Sequence, residues 1–347
     1  MMKYLRLLLL PFSWLYGLVV IVRNKLYDAG IFTSRGFDIP VISVGNLDVG
    51  GAGKSPMTEY LVRMFKGKYK LATLSRGYGR MTKGYLEATV DSIDVEVGDE
   101  PAQFKQKFPD ITVAVCESRV DGIKKLKYDH NLVILDDAYQ HRAVEPGLNI
   151  LLFDFSRVFE TRFLLPAGNL REPYSGYKRA DVIVVTKCPP NITAQQREQI
   201  KERIKPMSYQ ELFFTAISYG TLHNMAGNNV IEVMDKDTVV FLLTGIANPA
   251  PLLKHLADDV KTVIHHNYPD HHRFSLKNIT KLADEFDACT AQKKLVITTE
   301  KDAQRLREQA LLPIIEKMNI LVLPITVSFL SGQQQFDEII ENYVRKH

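Results

Sequence analysis

Residues 41–55, Val-Ile-Ser-Val-Gly-Asn-Leu-Asp-Val-Gly-Gly-Ala-Gly-Lys-Ser, constrain this chain more than any other stretch. They read as an apolar strand, a glycine-rich turn, and then Gly-Lys-Ser opening a helix. A strand that runs straight into a helix belongs to a βα unit, and successive units of this kind build parallel sheets. The turn also suits a polyphosphate. Small residues let backbone N–H groups close around the anion, and the helix points its positive end at it. Asp48, Val49, Gly50, Gly51, Ala52 and Gly53 would form the cradle. Lys54 would reach the β- and γ-phosphates, and the Ser55 hydroxyl would ligate Mg2+. Asp48 departs from the strict pattern, which has glycine there; Gly50, Gly51 and Gly53 compensate in number but not in place.

Strand and helix signals alternate beyond the turn. A helix is expected over 54–65, a strand over 70–74, an excursion over 81–97 and a helix from Asp99. Further strands are expected at 111–115, 132–135, 150–153 and 181–186, with a helix at 119–126. The pattern predicts an α/β, P-loop NTPase-like fold with a mostly parallel, doubly wound sheet. A smaller α/β lobe is expected to follow Pro189-Pro190. Its signals are helices at 193–204, 249–256, 276–287 and 301–310 and strands at 231–234, 238–243, 295–298 and 320–323. The expected division is 1–30, 31–210 and 211–347. Ligands of open α/β sheets bind outside the carboxyl ends of the strands, so the loops there should meet in one cleft.

The first 30 residues are the compositional outlier. From Leu5 to Val22 only Arg6 is charged, while Lys3, Arg6, Arg23 and Lys25 flank or punctuate the run. It is short for a spanning helix and contains Pro11, Ser13 and Gly17. Arg23-Asn-Lys-Leu-Tyr follows in place of a signal-peptide cleavage site. A helix lying in the bilayer interface fits best, with a true span and a helix packed on the protein's own core as the alternatives. The net charge of +4 is too small and dispersed to imply nucleic acid. Cys116, Cys188 and Cys289 lack metal-ligand spacing and read as reduced thiols in a cytoplasmic setting.

Asp136 and Asp137 end an apolar strand, where a nucleotide enzyme places the carboxylate that holds Mg2+. A helix cap or solvated loop end is the plainer account. Asp99, in Val97-Gly-Asp-Glu-Pro, reads first as a helix cap and second as a catalytic base. Arg171 and Glu172 lie in a Pro/Gly-framed loop that could present both charges to a phosphorylated sugar. His141 is as consistent with a structural role as with a functional one, and Arg76 could touch phosphate or solvent. Four of nine histidines fall at 265, 266, 271 and 272; a nucleotide- or substrate-facing loop fits them better than zinc. Thr299-Glu-Lys-Asp302 is weakly similar to the base-reading element of GTPases.

In order and spacing this set resembles the tetraacyldisaccharide 4'-kinase family, the lipid A 4'-kinases of Gram-negative bacteria. The likeness covers the apolar N-terminal helix, Val-Gly-Asn-Leu before the glycine-rich turn, Ser-Arg-Gly-Tyr at 75–78 and Gly-Asp-Glu-Pro at 98–101. It continues through Asp-Asp-Ala-Tyr-Gln-His-Arg at 136–142, Pro-Ala-Gly-Asn-Leu-Arg-Glu-Pro at 166–173, Pro-Asp-His at 269–271 and Thr-Glu-Lys-Asp at 299–302. Ala138-Tyr139 stand where the family usually has Gly-Phe, and Ser55 where Thr is common; neither removes a reactive group. The resemblance implies transfer of the γ-phosphoryl group of ATP to the 4'-hydroxyl of a tetra-acylated glucosamine disaccharide 1-phosphate. It makes Asp99 the base, puts His271 beside the transferring phosphate, and gives Mg2+ to Ser55, Asp136 and Asp137. Arg76, Tyr78, His141, Arg171 and Glu172 would line the substrate site. The implied partners are the glycolipid and the cytoplasmic face of the inner membrane, with no nucleic acid and no obligate protein partner. The competing expectation is a P-loop ATPase or GTPase that switches a membrane-associated partner.

Overall fold

Strand β1 (Val41–Asn46), which leads into the glycine-rich turn, lies at the centre of a nine-stranded sheet and is buried along its whole length. The computed structural model describes residues 6–230 and 234–347. After α1 (Leu10–Asp28) come β1 (Val41–Asn46), α2 (Lys54–Phe65), β2 (Leu71–Ser75) and the short β3 (Leu86–Glu87). Then follow α3 (Asp94–Val97), α4 (Asp99–Lys107), β4 (Thr112–Val115), α5 (Arg119–Leu126), β5 (Leu132–Asp136) and β6 (Leu148–Asp154). β7 (Val182–Thr186), α6 (Ala194–Ile204) and β8 (Glu211–Tyr219) complete this run.

The second lobe holds β9 (His223–Asn224), β10 (Val239–Thr244), α7 (Ala250–Asp259), β11 (Thr262–Asn267) and α8 (Leu276–Ala288). It closes with β12 (Lys294–Thr299), α9 (Glu300–Arg305), α10 (Leu312–Met318) and β13 (Leu321–Leu323). The chain then returns to the first lobe as β14 (Ile325–Phe329) and α11 (Gln333–Arg345).

The large sheet runs β14-β8-β7-β6-β1-β5-β2-β4-β3, and only its edges, β14 and β3, pair antiparallel. Successive β1 residues serve opposite faces, as a pleated strand must. Ile42 and Val44 pack with Met57, Leu61 and Phe65 of α2, while Val41 joins Ile123 and Leu126 of α5. Helices on both faces explain why the central strands are unbroken apolar runs such as Leu132-Val-Ile-Leu. The second sheet, β11-β10-β12-β13-β9, is parallel except at β9.

Several expectations are corrected. The small lobe is not the whole of 211–347, because β8 and β14 belong to the large sheet. Phe336, Ile340 and Val344 of α11 also lie in the large-lobe core. Strand β8 escaped notice because its Phe and Thr residues match no clean alternation. His265 and His266 belong to β11 rather than to a loop, and His266 is buried, 3.2 Å from Glu285. The helix expected over 301–310 stops at Arg305. The strand expected at 231–234 falls mostly outside the described residues.

Helix α1 lies along one edge of the large lobe. Ser13, Gly17 and Val20 face inward, and a Cβ on Gly17 would come within 2.7 Å of Leu164 Cδ1, so glycine permits the approach. Phe12, Trp14, Leu15, Leu18 and Val19 point outward, Trp14 being 73% exposed. Among the described residues no helix is long and apolar enough to cross a membrane.

Candidate active site

The carboxyl ends of β1 and β5 meet the amino end of α2. Gly50 and Gly53 have φ of 104° and 82°, backbone that side chains rarely adopt, and they turn the chain into α2. The first-turn amides of a helix have no intrahelical partner, so those of α2 are open to an anion. Thr186 Oγ1 donates to Ala52 O at 2.8 Å, and Lys187 Nζ donates to Gly51 O, so the end of β7 clamps the turn from behind. Asp48 is a lateral part of this turn. Its half-buried carboxyl is pushed up by burial, against the opposing charge of Arg157.

Lys54 Nζ donates to Asn46 Oδ1 at 3.1 Å and lies 3.5 Å from Asp137 Oδ1. Ser55 Oγ donates to Glu100 Oε1 at 3.1 Å. Asp137 sits in left-handed backbone, φ 50°, and receives both Arg171 nitrogens, at 2.8 and 3.1 Å. Burial pushes the Asp137 carboxyl up, but Lys54 and Arg171 together hold it below the ordinary range. Its neighbour behaves oppositely. Burial, then the charges of Glu100 and Asp137, push Asp136 up to about 7, against the Lys54 charge and a 3.3 Å bond from Thr58. A further cation bound against these oxygens would favour the charged form.

Oxygen donors at Ser55, Asp136 and Asp137 beside a phosphate cradle suit Mg2+, which uses one or two carboxylates together with substrate phosphates. Among the described residues no group of three or more His, Cys, Asp or Glu side chains could cage a metal without such phosphates.

Asp99, the first residue of α4, faces the small lobe. Its Oδ2 accepts from Arg305 Nη2 at 3.0 Å and lies 3.1 Å from His271 Nδ1. His271 is itself in left-handed backbone, φ 59°. Burial raises the Asp99 carboxyl, but the Arg305 charge and the bonds from His271 and Arg305 outweigh it and hold it low. Asp99 is therefore an ionised proton acceptor at neutral pH. Lys301 Nζ donates to Glu100 Oε1 at 2.7 Å, a second bond across the lobes.

The other expected residues divide. Arg171 reaches the site. His141 is partly buried, and burial, Arg119 and Arg76 push it down to about 4, leaving an uncharged ring whose Nε2 has no partner. Tyr78 is 86% exposed on the loop after β2, which also carries Arg76. Glu172 does not face the cleft. It is fully buried, and both its oxygens accept from Arg179 at 2.9 Å, with Gln140 and Asn24 as further donors. The Thr299-Glu-Lys-Asp302 stretch bridges the lobes: Lys301 donates to Glu100 at 2.7 Å, and Glu300 accepts from Lys107 at 2.5 Å. Asn46, Glu100, Lys301 and Arg305 were missed. Adjacency to the motifs was their only signal.

A family model described as tetraacyldisaccharide-1-P 4'-kinase matches residues 5–345. The chain belongs to that family. The tetraacyldisaccharide 4'-kinase of Phocaeicola vulgatus is 45% identical over 98% of this chain and 95% of its own. That of Flavobacterium johnsoniae is 41% identical over 100% of this chain and 99% of its own. A crystal structure of LpxK from Aquifex aeolicus in complex with ATP superposes with a TM-score of 0.74 at 29% identity. The match covers 98% of this chain and 99% of that one. The 4'-kinase family therefore accounts for both lobes and for α1, not only for the glycine-rich turn.

Proposed function

We propose that this protein transfers the γ-phosphoryl group of ATP to the 4'-hydroxyl of tetraacyldisaccharide 1-phosphate, giving lipid IVA for lipid A, at the cytoplasmic face of the inner membrane. One observation carries the reading. Asp99 lies next in sequence to Glu100, which accepts from Ser55 of the cradle, so a charged base stands beside the phosphate site.

Residues 48–55 and the amino end of α2 hold the triphosphate, with Lys54 against its outer phosphates. Ser55, Asp136 and Asp137 would hold Mg2+, which supplies positive charge to the β- and γ-oxygens when bound. Asp99 accepts the proton of the 4'-hydroxyl as that oxygen attacks the γ-phosphorus; the bond to the β,γ-bridging oxygen breaks and ADP leaves. Little covalent work falls to the protein, because phosphoryl transfer depends on positioning and charge neutralisation. His271, His141, Arg76, Tyr78 and Arg171 would line the acceptor side. The outward face of α1 places the protein peripherally on the lipid surface, where the acyl chains stay while the nucleotide arrives from water.

The test is incubation with γ-labelled ATP and the disaccharide 1-phosphate lipid in detergent or vesicles. A bis-phosphorylated glycolipid is expected. Nucleotide hydrolysis stimulated by another protein, with no labelled lipid, would replace this reading with an ATPase or GTPase switch.

A further inference from the structure

We propose that Arg305 is the positioning residue of the acceptor base: from the small lobe it fixes the Asp99 carboxylate in place and keeps it ionised. The inference rests on the phosphoryl-transfer reading for its rate consequences and on geometry for the rest.

Arg305 is almost fully buried. Its Nη1 donates to Gly245 O at 3.0 Å and to Asp302 Oδ1 at 2.9 Å, which locks the guanidinium to the small lobe. Nη2 donates to Asp99 Oδ2 at 3.0 Å, and Nε approaches the same oxygen at 3.4 Å. Nη2 also lies 3.2 Å from His271 Nδ1. A guanidinium has five donors and no acceptor. It therefore donates to Asp99, and the same Oδ2 lies 3.1 Å from His271 Nδ1, so Arg305 fixes the oxygen against which the ring is set. His271 Nε2 lies 3.8 Å from Asp270.

The charged groups around the pair are few. Asp99 faces Arg305 and His271 across the lobes and has Glu100, paired with Lys301, beside it on α4. His271 faces Asp270, and Arg305 faces Asp302. Arg273, 3.5 Å from Asp94, lies further along the same loop. Held and kept ionised by Arg305, the Asp99 carboxylate can take a proton from the acceptor hydroxyl. The arrangement also makes the base whole only when the lobes are together.

Two variants separate the parts. Arg305→Ala should lower kcat for lipid phosphorylation about 100-fold, within the range for a disabled general base. With its cation gone, Asp99 should protonate more readily, so the acid limb of the kcat profile should move to higher pH. Half-saturation by ATP should stay within about 3-fold, because the variant touches nothing in the 48–55 turn. Arg305→Lys keeps the charge but not the fork; it should recover part of the lost kcat, and its acid limb should stay close to wild type. The Asp99 carboxyl is followed directly by ¹³C-aspartate NMR of the full-length protein, with Asp99→Asn to assign the signal; its titration should move to higher pH in Arg305→Ala. An Asp99 titration that stays put in Arg305→Ala would overturn the claim. Wild-type protein that leaves the lipid unphosphorylated would sink the functional reading, whereas the NMR titration would still decide whether Arg305 holds Asp99.

Discussion

The Ala167 amide donates to Ser13 Oγ at 2.9 Å and so fixes the apolar helix to the loop that carries Arg171 into the phosphate site. Ser13 in turn donates to Leu164 O at 3.1 Å, and Tyr16 OH donates to Arg171 O at 2.6 Å. One face of α1 is spent on this loop, which leaves the other with bare Phe12, Trp14, Leu15 and Leu18. The bare apolar face of α1 and the position of Arg171 thus share one scaffold.

The outward face can be disabled without touching the inward one. Trp14→Glu with Leu18→Glu should reduce cosedimentation with anionic vesicles at least about 30-fold, since burying each large apolar side chain contributes about 1.5–3 kcal/mol. Thermal stability should stay close to wild type. Unchanged cosedimentation would place the lipid contact elsewhere.

Lys54→Ala removes the cation that faces the outer phosphates. Turnover of labelled ATP into lipid should drop at least about 100-fold, the scale for losing a preorganised charge partner, with circular dichroism unchanged. A folded variant with near-normal transfer would mean that the 48–55 turn does not grip the transferred group.

Asp99→Ala should lower kcat about 10²–10⁴-fold while nucleotide affinity holds, because Lys54 and Ser55 keep their geometry. Steady-state kinetics with both substrates varied would show the split. An unaltered kcat would reduce Asp99 to a helix-starting residue.

Asp136→Asn should stabilise the metal-free protein at alkaline pH. The folded carboxyl is raised to about 7, above its unfolded value, so its contribution is present in acid and lost as pH rises through 7. The amide carries no charge to repel Glu100 and Asp137. Melting in EDTA should show the variant more stable at pH 8, by an amount on the order of 1–3 kcal/mol, and no better at pH 5. Equal melting of the two proteins at pH 8 would show that the carboxyl is not strained.

Glu172→Ala leaves Arg179 and Gln140 without their acceptor. A loss of about 2–3 kcal/mol is expected, at the low end for a broken buried pair because Arg179 is partly solvated. Protein kept folded at low temperature should retain most of its kcat. Wild-type stability combined with lost turnover would return Glu172 to the substrate site.

Much of the large lobe was legible because its strands are long apolar runs and its helices amphipathic. β1, β5 and β7 were placed within about a residue. The small lobe was harder. β11 carries Thr262, His265, His266 and Asn267 among its six residues, so it lacks the apolar run that marks a buried strand. Proximity in sequence also misled at Arg171-Glu172. Neighbours on a loop point opposite ways, and one entered the cleft while the other was buried beneath it.

By itself the sequence determined the glycine-rich turn between strand and helix, the parallel large sheet around it and the apolar helix ahead of it. Each of these is a local pattern, and local patterns are written in consecutive residues. Tertiary structure alone decided that β8, β14 and α11 return to the first lobe, that Glu172 is a buried anchor, and that Arg305 meets Asp99 across 206 positions of chain. Such pairings depend on how whole sheets stack, and no short window of residues encodes them.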